Sequence, residues 1–77
     1  MLFALWDRDL GNQLGAFSTE EEALLAVRQL LAVGAPIRLE ALLLEYEDEQ
    51  GDGDIVAGGR ALVERITRFE AQRRVPD

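Results

Sequence analysis

A helix with its own start and stop signals lies near the middle of the chain and constrains the fold more than any other segment. It is predicted within residues 19–36, TEEEALLAVRQLLAVGAP. Thr19 can begin it, because its hydroxyl can accept the Glu22 backbone N–H while the Glu22 side chain reaches back in a capping box. Gly34 can take the left-handed conformation that ends a helix, and Pro36 prevents continuation. The rest of the chain must therefore fold on either side of this helix.

The same helix carries an apolar stripe and an acidic first turn. Ser18 with Glu21 repeats the capping pattern one residue earlier, so the sequence offers two candidate caps. The three acids at 20–22 lie where the helix dipole favours negative charge, and we interpret them as a cap rather than as metal ligands. The stripe, which follows helical spacing, consists of Ala23, Val27, Leu30, Leu31 and Gly34, broadened by Leu24.

Two apolar segments before the helix, residues 2–6 and 13–18, predict a β-hairpin. The turn-forming cluster between them contains Gly11, which is available for a positive φ. A three-residue loop at residues 9–11 would set the strand register. The predicted cross-strand pairs are Phe3–Phe17, Ala4–Ala16 and Trp6–Leu14.

The segment after the helix, residues 37–48, is ambiguous, because its leucines fit both a helical stripe and strand alternation. Pro36 before it and the turn-rich residues 50–53 after it favour a strand, which we predict from Ala41 to Glu47. Residues 54–57 predict a short partner strand. Arg60 to Arg74 predicts a second helix, with the apolar stripe Leu62, Val63, Ile66 and Phe69.

This order of elements predicts an α+β fold, ββαββα, in a single domain over residues 1–77. A right-handed crossover gives a four-stranded, mostly antiparallel sheet in the order 2-1-3-4, with two helices on one face. The first strand is apolar on both faces, so a partner sheet in a homodimer is the expected cover for the second face. The alternative is an exposed face that tolerates a few apolar residues. The predicted interface residues are Leu2, Ala4, Trp6, Leu14, Ala16 and Leu43.

Composition restricts the chemistry that the chain can perform. The 77 residues contain no cysteine and no histidine, which removes thiol chemistry, the commonest general base and the commonest transition-metal ligand. The formal net charge of −7 argues against general nucleic-acid binding, because phosphate contacts need clustered positive charge. The apolar segments are too short to span a bilayer, so we predict a cytoplasmic protein by default. We also predict that it uses no cofactor.

The acidic segment from Asp48 to Ile55, DEQGDGDI, partly matches a calcium loop. Gln50 is a poor ligand at the third position, and Gly59 stands where a bidentate Glu is needed. A solvated hairpin turn explains the same Asp and Gly residues, and we prefer this interpretation. The candidate calcium ligands are Asp48, Asp52 and Asp54.

Two other charged groups are candidates for function. Glu45 and Glu47 share a strand face and could act as an acid–base pair, but no His, Cys, Lys or phosphate loop accompanies them, so we predict no enzyme. Arginines near the C-terminus could contact nucleic acid, an acidic partner or the acidic body of a second subunit, or could complement the helix dipole. They are Arg65, Arg68, Arg73 and Arg74.

Residues 5–24, LWDRDLGNQLGAFSTEEEAL, resemble small uncharacterised bacterial proteins with a "TGN-x-LG-x-F" hairpin and a "T-x-EEA" helix start. The acidic turn around 49–55 has a similar layout, whereas Leu10 departs from the usual Thr. The resemblance implies the ββαββα layout and no assigned activity. We therefore expect a small interaction module that homodimerises through its sheet and masks a basic partner, as an antitoxin-like or accessory protein does. The alternatives are a small-ligand or calcium binder and, less favoured, a nucleic-acid binder.

Overall fold

The computed structural model describes residues 1–73, with the side chains of residues 1–72. The predicted α+β order, ββαββα, is confirmed, and the four strands in this part of the chain form one antiparallel sheet in the order β2-β1-β3-β4. Predictions for Arg74 and for residues 75–77 lie outside the described residues. The elements are β1 Leu2–Asp7, β2 Asn12–Phe17, α1 Glu20–Ala32, a 3-10 turn Leu39–Ala41, β3 Leu42–Glu47, β4 Gly53–Gly58 and α2 Arg60–Arg73.

The hydrophobic core lies between one face of the sheet and the two helices. On that face Leu5 of β1 pairs with Leu44 of β3, which in turn pairs with Ala57 of β4. Both helices pack over this row, as predicted, and the smallest dimension of the fold is 16 Å. One layer of helices on one layer of sheet accounts for that thickness. The buried helix residues are Ala23, Leu24, Val27, Leu62 and Ile66.

The ends of α1 follow its local chemistry. Thr19 is the cap, because its hydroxyl oxygen accepts the Glu22 N–H at 3.2 Å. The Thr19 hydroxyl also donates to the Glu22 carboxylate at 3.2 Å, so the side chains meet directly. At the other end Gly34 has a φ of 67°, and the Ala35 N–H donates to the Leu30 carbonyl at 3.1 Å. These hydrogen bonds form a Schellman motif, in agreement with the helix end predicted at Gly34.

The stripe predicted for α1 is partly wrong. Leu31 and Gly34 belong to the predicted apolar stripe, yet Leu31 is 40% exposed and Gly34 lies in the open turn after the helix. Leu31 lies seven residues after the buried Leu24, on the same side of the helix. That side is therefore covered by the rest of the fold near the start of α1 and left open near its end.

The β1–β2 register is also partly wrong. The pairs Phe3–Phe17 and Ala4–Ala16 are confirmed, but Trp6 pairs with Gln13 instead of Leu14. A β-bulge between Leu5 and Trp6 leaves Leu14 without a cross-strand partner. The connecting loop consequently has four residues, 8–11, rather than three.

The predictions after α1 are confirmed in type and differ at the boundaries. The ambiguous segment forms strand β3 at Leu42–Glu47, and Ala41 belongs to the 3-10 turn before it. β4 is one residue longer at each end than predicted, and α2 begins at Arg60 as expected. A second bulge between Leu44 and Glu45 leaves Val56 unpaired in β4.

Candidate docking face

The face of the sheet opposite α1 and α2, named here the open face, is the main surface that the fold leaves without a covering layer among residues 1–73. Side chains alternate along a strand, so the neighbours of the core residues Leu5 and Leu44 point to it. Two rows of paired residues cross the open face. They are Ala16–Ala4–Glu45–Ile55 and Gln13–Trp6–Leu43–Gly58.

The structure places five of the six predicted interface residues together on the open face, and the sixth lies in a bulge. Leu2, Ala4, Trp6, Ala16 and Leu43 share the open face through the strand pairs given above and the Leu2–Glu47 pair. Leu14, the sixth, lies in the bulge of β2 and is 37% exposed. The face is only partly apolar, because Glu45 and Glu47 of β3 project from it.

Ile55 belongs to the same surface and was not predicted. It is 63% exposed and pairs with Glu45, whereas Ala57, two residues later, is buried against the helices. In a regular strand residues two apart share a face, so the sequence alone would assign both to the core. The bulge at Val56 separates them, and the pattern DIVAG contains no clear signal for it.

A shallow groove of about 420 Å³ runs along the open face. Trp6 and Leu43, a cross-strand pair, form its apolar centre. Arg8, two residues after Trp6, lies at one end, and Glu45, two residues after Leu43, lies at the other. The groove therefore carries a cation and an anion at opposite ends of an apolar middle.

The indole of Trp6 adds an unusual feature to this groove. Its Nε1 atom is buried and has no hydrogen-bond acceptor among the described residues. A buried donor without an acceptor costs about 1–3 kcal/mol, so most native structures avoid one. The chain on its own thus leaves one polar atom of the open face unsatisfied.

The loop that carries Arg8 is held to the segment before β3. The Arg8 N–H donates to the Ala41 carbonyl at 2.8 Å. The Arg38 guanidinium donates to the Asp9 carboxylate through Nε and Nη2, both at 2.8 Å. This hydrogen-bonded partner lowers the pKa of Asp9. The backbone at Arg8 is therefore anchored, while its side chain forms no ion pair with any described residue.

The two edges of the sheet are less suited to pairing than its open face. β2 and β4 are the edge strands, and each contains one of the two bulges. A bulge twists an edge and interrupts its row of N–H and C=O groups, which discourages another strand from adding to the sheet. β2 has no charged residue, so the bulge at Leu14 is its main protection.

The acidic turn between β3 and β4 is explained by hydrogen bonds within the turn. The Asp48 carboxylate accepts the N–H groups of Gln50 at 2.9 Å and Asp52 at 3.0 Å. Asp54 accepts the N–H of the next residue, Ile55, at 3.0 Å. Among the described residues no group of three or more His, Cys, Asp or Glu side chains could hold a metal ion. The calcium site stays a prediction, and Asp48 has a structural role without it.

The C-terminal arginines do not act as one cluster within the described part of the chain. Arg65 Nε lies 2.6 Å from Glu20 Oε2, which ties α2 to the start of α1. Arg68 lines a small cavity of about 170 Å³ beside that pair. Arg74 and the side chain of Arg73 lie outside the described residues.

Comparison of the chain with protein-family models, with curated proteins and with solved structures found no match. The resemblance of residues 5–24 to small bacterial proteins therefore stays a prediction. Neither α1 nor α2, over the residues described, has the length and apolar character needed to cross a membrane.

Proposed function

We propose that this protein is a small, non-catalytic protein–protein interaction module that forms a homodimer through its open face. The observation that supports the proposal is a sheet with helices on one face only and apolar side chains on the other. Leu2 is 39% exposed and Ile55 is 63% exposed, and both lie on the face that contains the groove formed by Trp6 and Leu43. Exposed apolar side chains on an uncovered sheet face are typical of an interaction site.

A second copy fits the dimensions of this surface. Each strand has six residues, so the open face measures roughly 20 by 20 Å, or roughly 400 Å² in flat projection. Stable protein–protein interfaces bury about 800 Å² of accessible surface per partner. The flat projection of the open face is about half of that area, so we expect a weak dimer with a Kd on the order of micromolar.

The mass in solution tests the proposal. Sedimentation velocity from about 1 to about 200 µM should show a concentration-dependent rise from monomer to dimer. Leu43→Glu places two charges in the centre of the interface and should abolish the dimer. Ile55→Glu should weaken it with little effect on folding, because this side chain is already mostly exposed. A wild-type protein that stays monomeric throughout this range would overturn the proposal.

A matched variant separates the open face from general effects of added charge. Leu25 is 43% exposed on α1, on the helical side of the fold. Leu25→Glu changes the net charge as Leu43→Glu does but leaves the open face unchanged, so its dimer should match the wild type. Circular dichroism of each variant should show that the fold is retained. Equal loss of the dimer in both variants would contradict the assignment to this face.

Trp6 provides an independent readout, since it is the only tryptophan in the chain. Its indole lines the groove, so a docked second copy would remove it further from water. Emission should shift to shorter wavelength as the concentration rises through the dimer transition, and Leu43→Glu should remove that shift. Emission that does not change with concentration, in a sample shown by mass to dimerise, would place the interface elsewhere.

A basic protein is the second candidate partner, and the net charge of −7 favours it. Masking of such a partner is the antitoxin-like or accessory role expected from the sequence. Co-expression with the product of the neighbouring gene tests it: a basic product that co-purifies at low salt and separates at high salt supports the role. The resemblance to bacterial proteins supports a bacterial origin, and a cytoplasmic location belongs to the same proposal.

A further inference from the structure

We infer that the two copies dock in one orientation, with the two-fold axis running across the strands, so that Arg8 of each copy contacts Glu45 of the other. This inference rests on the proposed homodimer and specifies how its two faces recognise each other. It assigns a specificity role to two charged residues at opposite ends of the groove.

The positions of the two charges follow from the strand register. Glu45 pairs across the sheet with Ala4, which precedes Arg8 by four residues on β1 and its loop. At about 3.3 Å per residue in a strand, the two backbone positions are separated by at most about 13 Å along the strand direction. Trp6 lies midway between them and pairs with Leu43. The centre of the pattern is therefore apolar, and its ends carry opposite charges.

A face-to-face dimer has two simple choices of symmetry axis, and the charges distinguish them. If the axis runs along the strands, between β1 and β3, the Arg8 end of the groove in one copy lies over the Arg8 end of the groove in the other. Arg8 would then lie near the second Arg8, and Glu45 near the second Glu45. Like charges brought together across an interface are destabilising. This orientation is therefore disfavoured.

An axis across the strands, through the row of Trp6 and Leu43, exchanges the two ends. Arg8 of one copy then lies over Ala4 of the other, one strand away from Glu45. Stacked sheets lie about 10 Å apart and neighbouring strands about 4.8 Å apart, so the two backbones are about 11 Å apart, a gap that an arginine and a glutamate side chain can span together. The symmetry forms this contact twice. Both apolar centres meet at the axis, and both charges at each end find a partner.

The single chain leaves both groups available for such contacts. Neither Arg8 nor Glu45 forms an ion pair within the described residues. Glu45 is half-buried beside the groove, whereas Arg8 is exposed at its end. The backbone of Arg8 is anchored through its N–H to Ala41, which limits the positions that its side chain can reach. An anchored cation and a partly desolvated anion form a stronger pair than two freely exposed groups.

Charge reversal tests the orientation. Arg8→Glu and Glu45→Arg should each weaken the dimer by about tenfold or more in Kd, because each replaces two attractive contacts with two repulsive ones. The double variant R8E/E45R restores both contacts in reversed sense, so its Kd should return to within about threefold of the wild type. With the axis along the strands, each single change would replace one like pair by another and leave Kd nearly unchanged.

Matched variants control for the change in net charge. Arg60→Glu and Glu64→Arg alter the same charges at exposed positions on α2, away from the open face, and should leave Kd unchanged. If Leu43→Glu abolishes the dimer while Arg8→Glu and Glu45→Arg do not affect it, the open face docks but the inferred orientation is wrong. If the wild type does not dimerise, the proposed function itself fails. Weakening by both single variants without recovery in the double variant would also overturn the Arg8–Glu45 contact.

Discussion

The Arg38 guanidinium donates two hydrogen bonds to the Asp9 carboxylate, from Nε to Oδ2 and from Nη2 to Oδ1, each 2.8 Å long. The two residues are 29 positions apart in the chain, and their contact ties the β1–β2 loop to the segment that leads into β3. Arg8, at the end of the groove, immediately precedes Asp9. The pair therefore helps to position the residue that we infer to select the orientation of the dimer.

The first prediction concerns the titration of Asp9. Its hydrogen bond with Arg38 lowers its pKa, and nearby charge from Arg38 and Arg8 acts in the same direction. A lowered folded-state pKa adds stability that is fully present above the unfolded-state pKa, about 3.9, and is lost as pH falls through the folded value. NMR titration should find the pKa of Asp9 below the usual range for aspartate, and Arg38→Gln should raise that pKa toward the usual range. Arg28→Gln, which removes the salt bridge between Arg28 on α1 and Glu70 on α2, should leave the pKa of Asp9 unchanged.

The same contact should influence dimerisation. Arg38→Gln frees the 8–11 loop from one of its two anchors and should weaken the dimer, but less than Arg8→Glu, because no charge on the open face is reversed. Arg38→Lys should behave similarly, since a lysine cannot make the two-pronged contact. Sedimentation velocity on these variants measures the effect. A dimer as weak as that of Arg8→Glu would indicate that Arg38 itself lies in the interface.

The second prediction concerns the cap of α1. Thr19→Ala removes the acceptor of the Glu22 N–H and should lower the free energy of unfolding by about 0.5–2 kcal/mol. Ser18, the other candidate cap in the sequence, has no capping bond in the structure, so Ser18→Ala should change stability by less than about 0.5 kcal/mol. Urea denaturation of the two variants gives the comparison. A larger loss from Ser18→Ala would contradict the observed start of the helix.

Local chemistry explains why the elements were predictable and the open face only partly so. Thr19 and Gly34 mark the ends of α1 through bonds within a few residues, so the sequence carries both signals. The two bulges depend on how the strands pair, and the local sequence around Leu14 and Val56 contains no signal that predicts them. They account for the wrong Trp6–Leu14 pair and for the omission of Ile55 from the candidate site. The Asp9–Arg38 contact also joins distant segments, and one sequence cannot indicate it.

The third prediction tests how far along α1 the apolar stripe is buried. Leu24 is 1% exposed and Leu31 is 40% exposed, although both belong to the apolar stripe. Leu24→Ala should cost about 2–5 kcal/mol, because it leaves a cavity in the core. Leu31→Ala should cost less than about 1 kcal/mol, because water already reaches that side chain. Thermal and urea unfolding of this matched pair measure the difference, and equal losses would contradict the observed end of the buried stripe.

The fourth prediction separates a turn from a calcium site at residues 48–54. Asp48 accepts two backbone N–H groups, whereas Asp52 contributes its own N–H to that carboxylate. If Asp48 is a turn residue, Asp48→Ala should lower the free energy of unfolding by about 1–2 kcal/mol in the absence of calcium. Asp52→Ala retains the hydrogen bond from the backbone N–H of residue 52 to Asp48 and should lower the free energy of unfolding by less than about 0.5 kcal/mol. We expect calcium to leave Tm unchanged in the wild type, since the Asp48 carboxylate already serves the backbone. A rise in Tm with calcium that both variants abolish would instead support the calcium site.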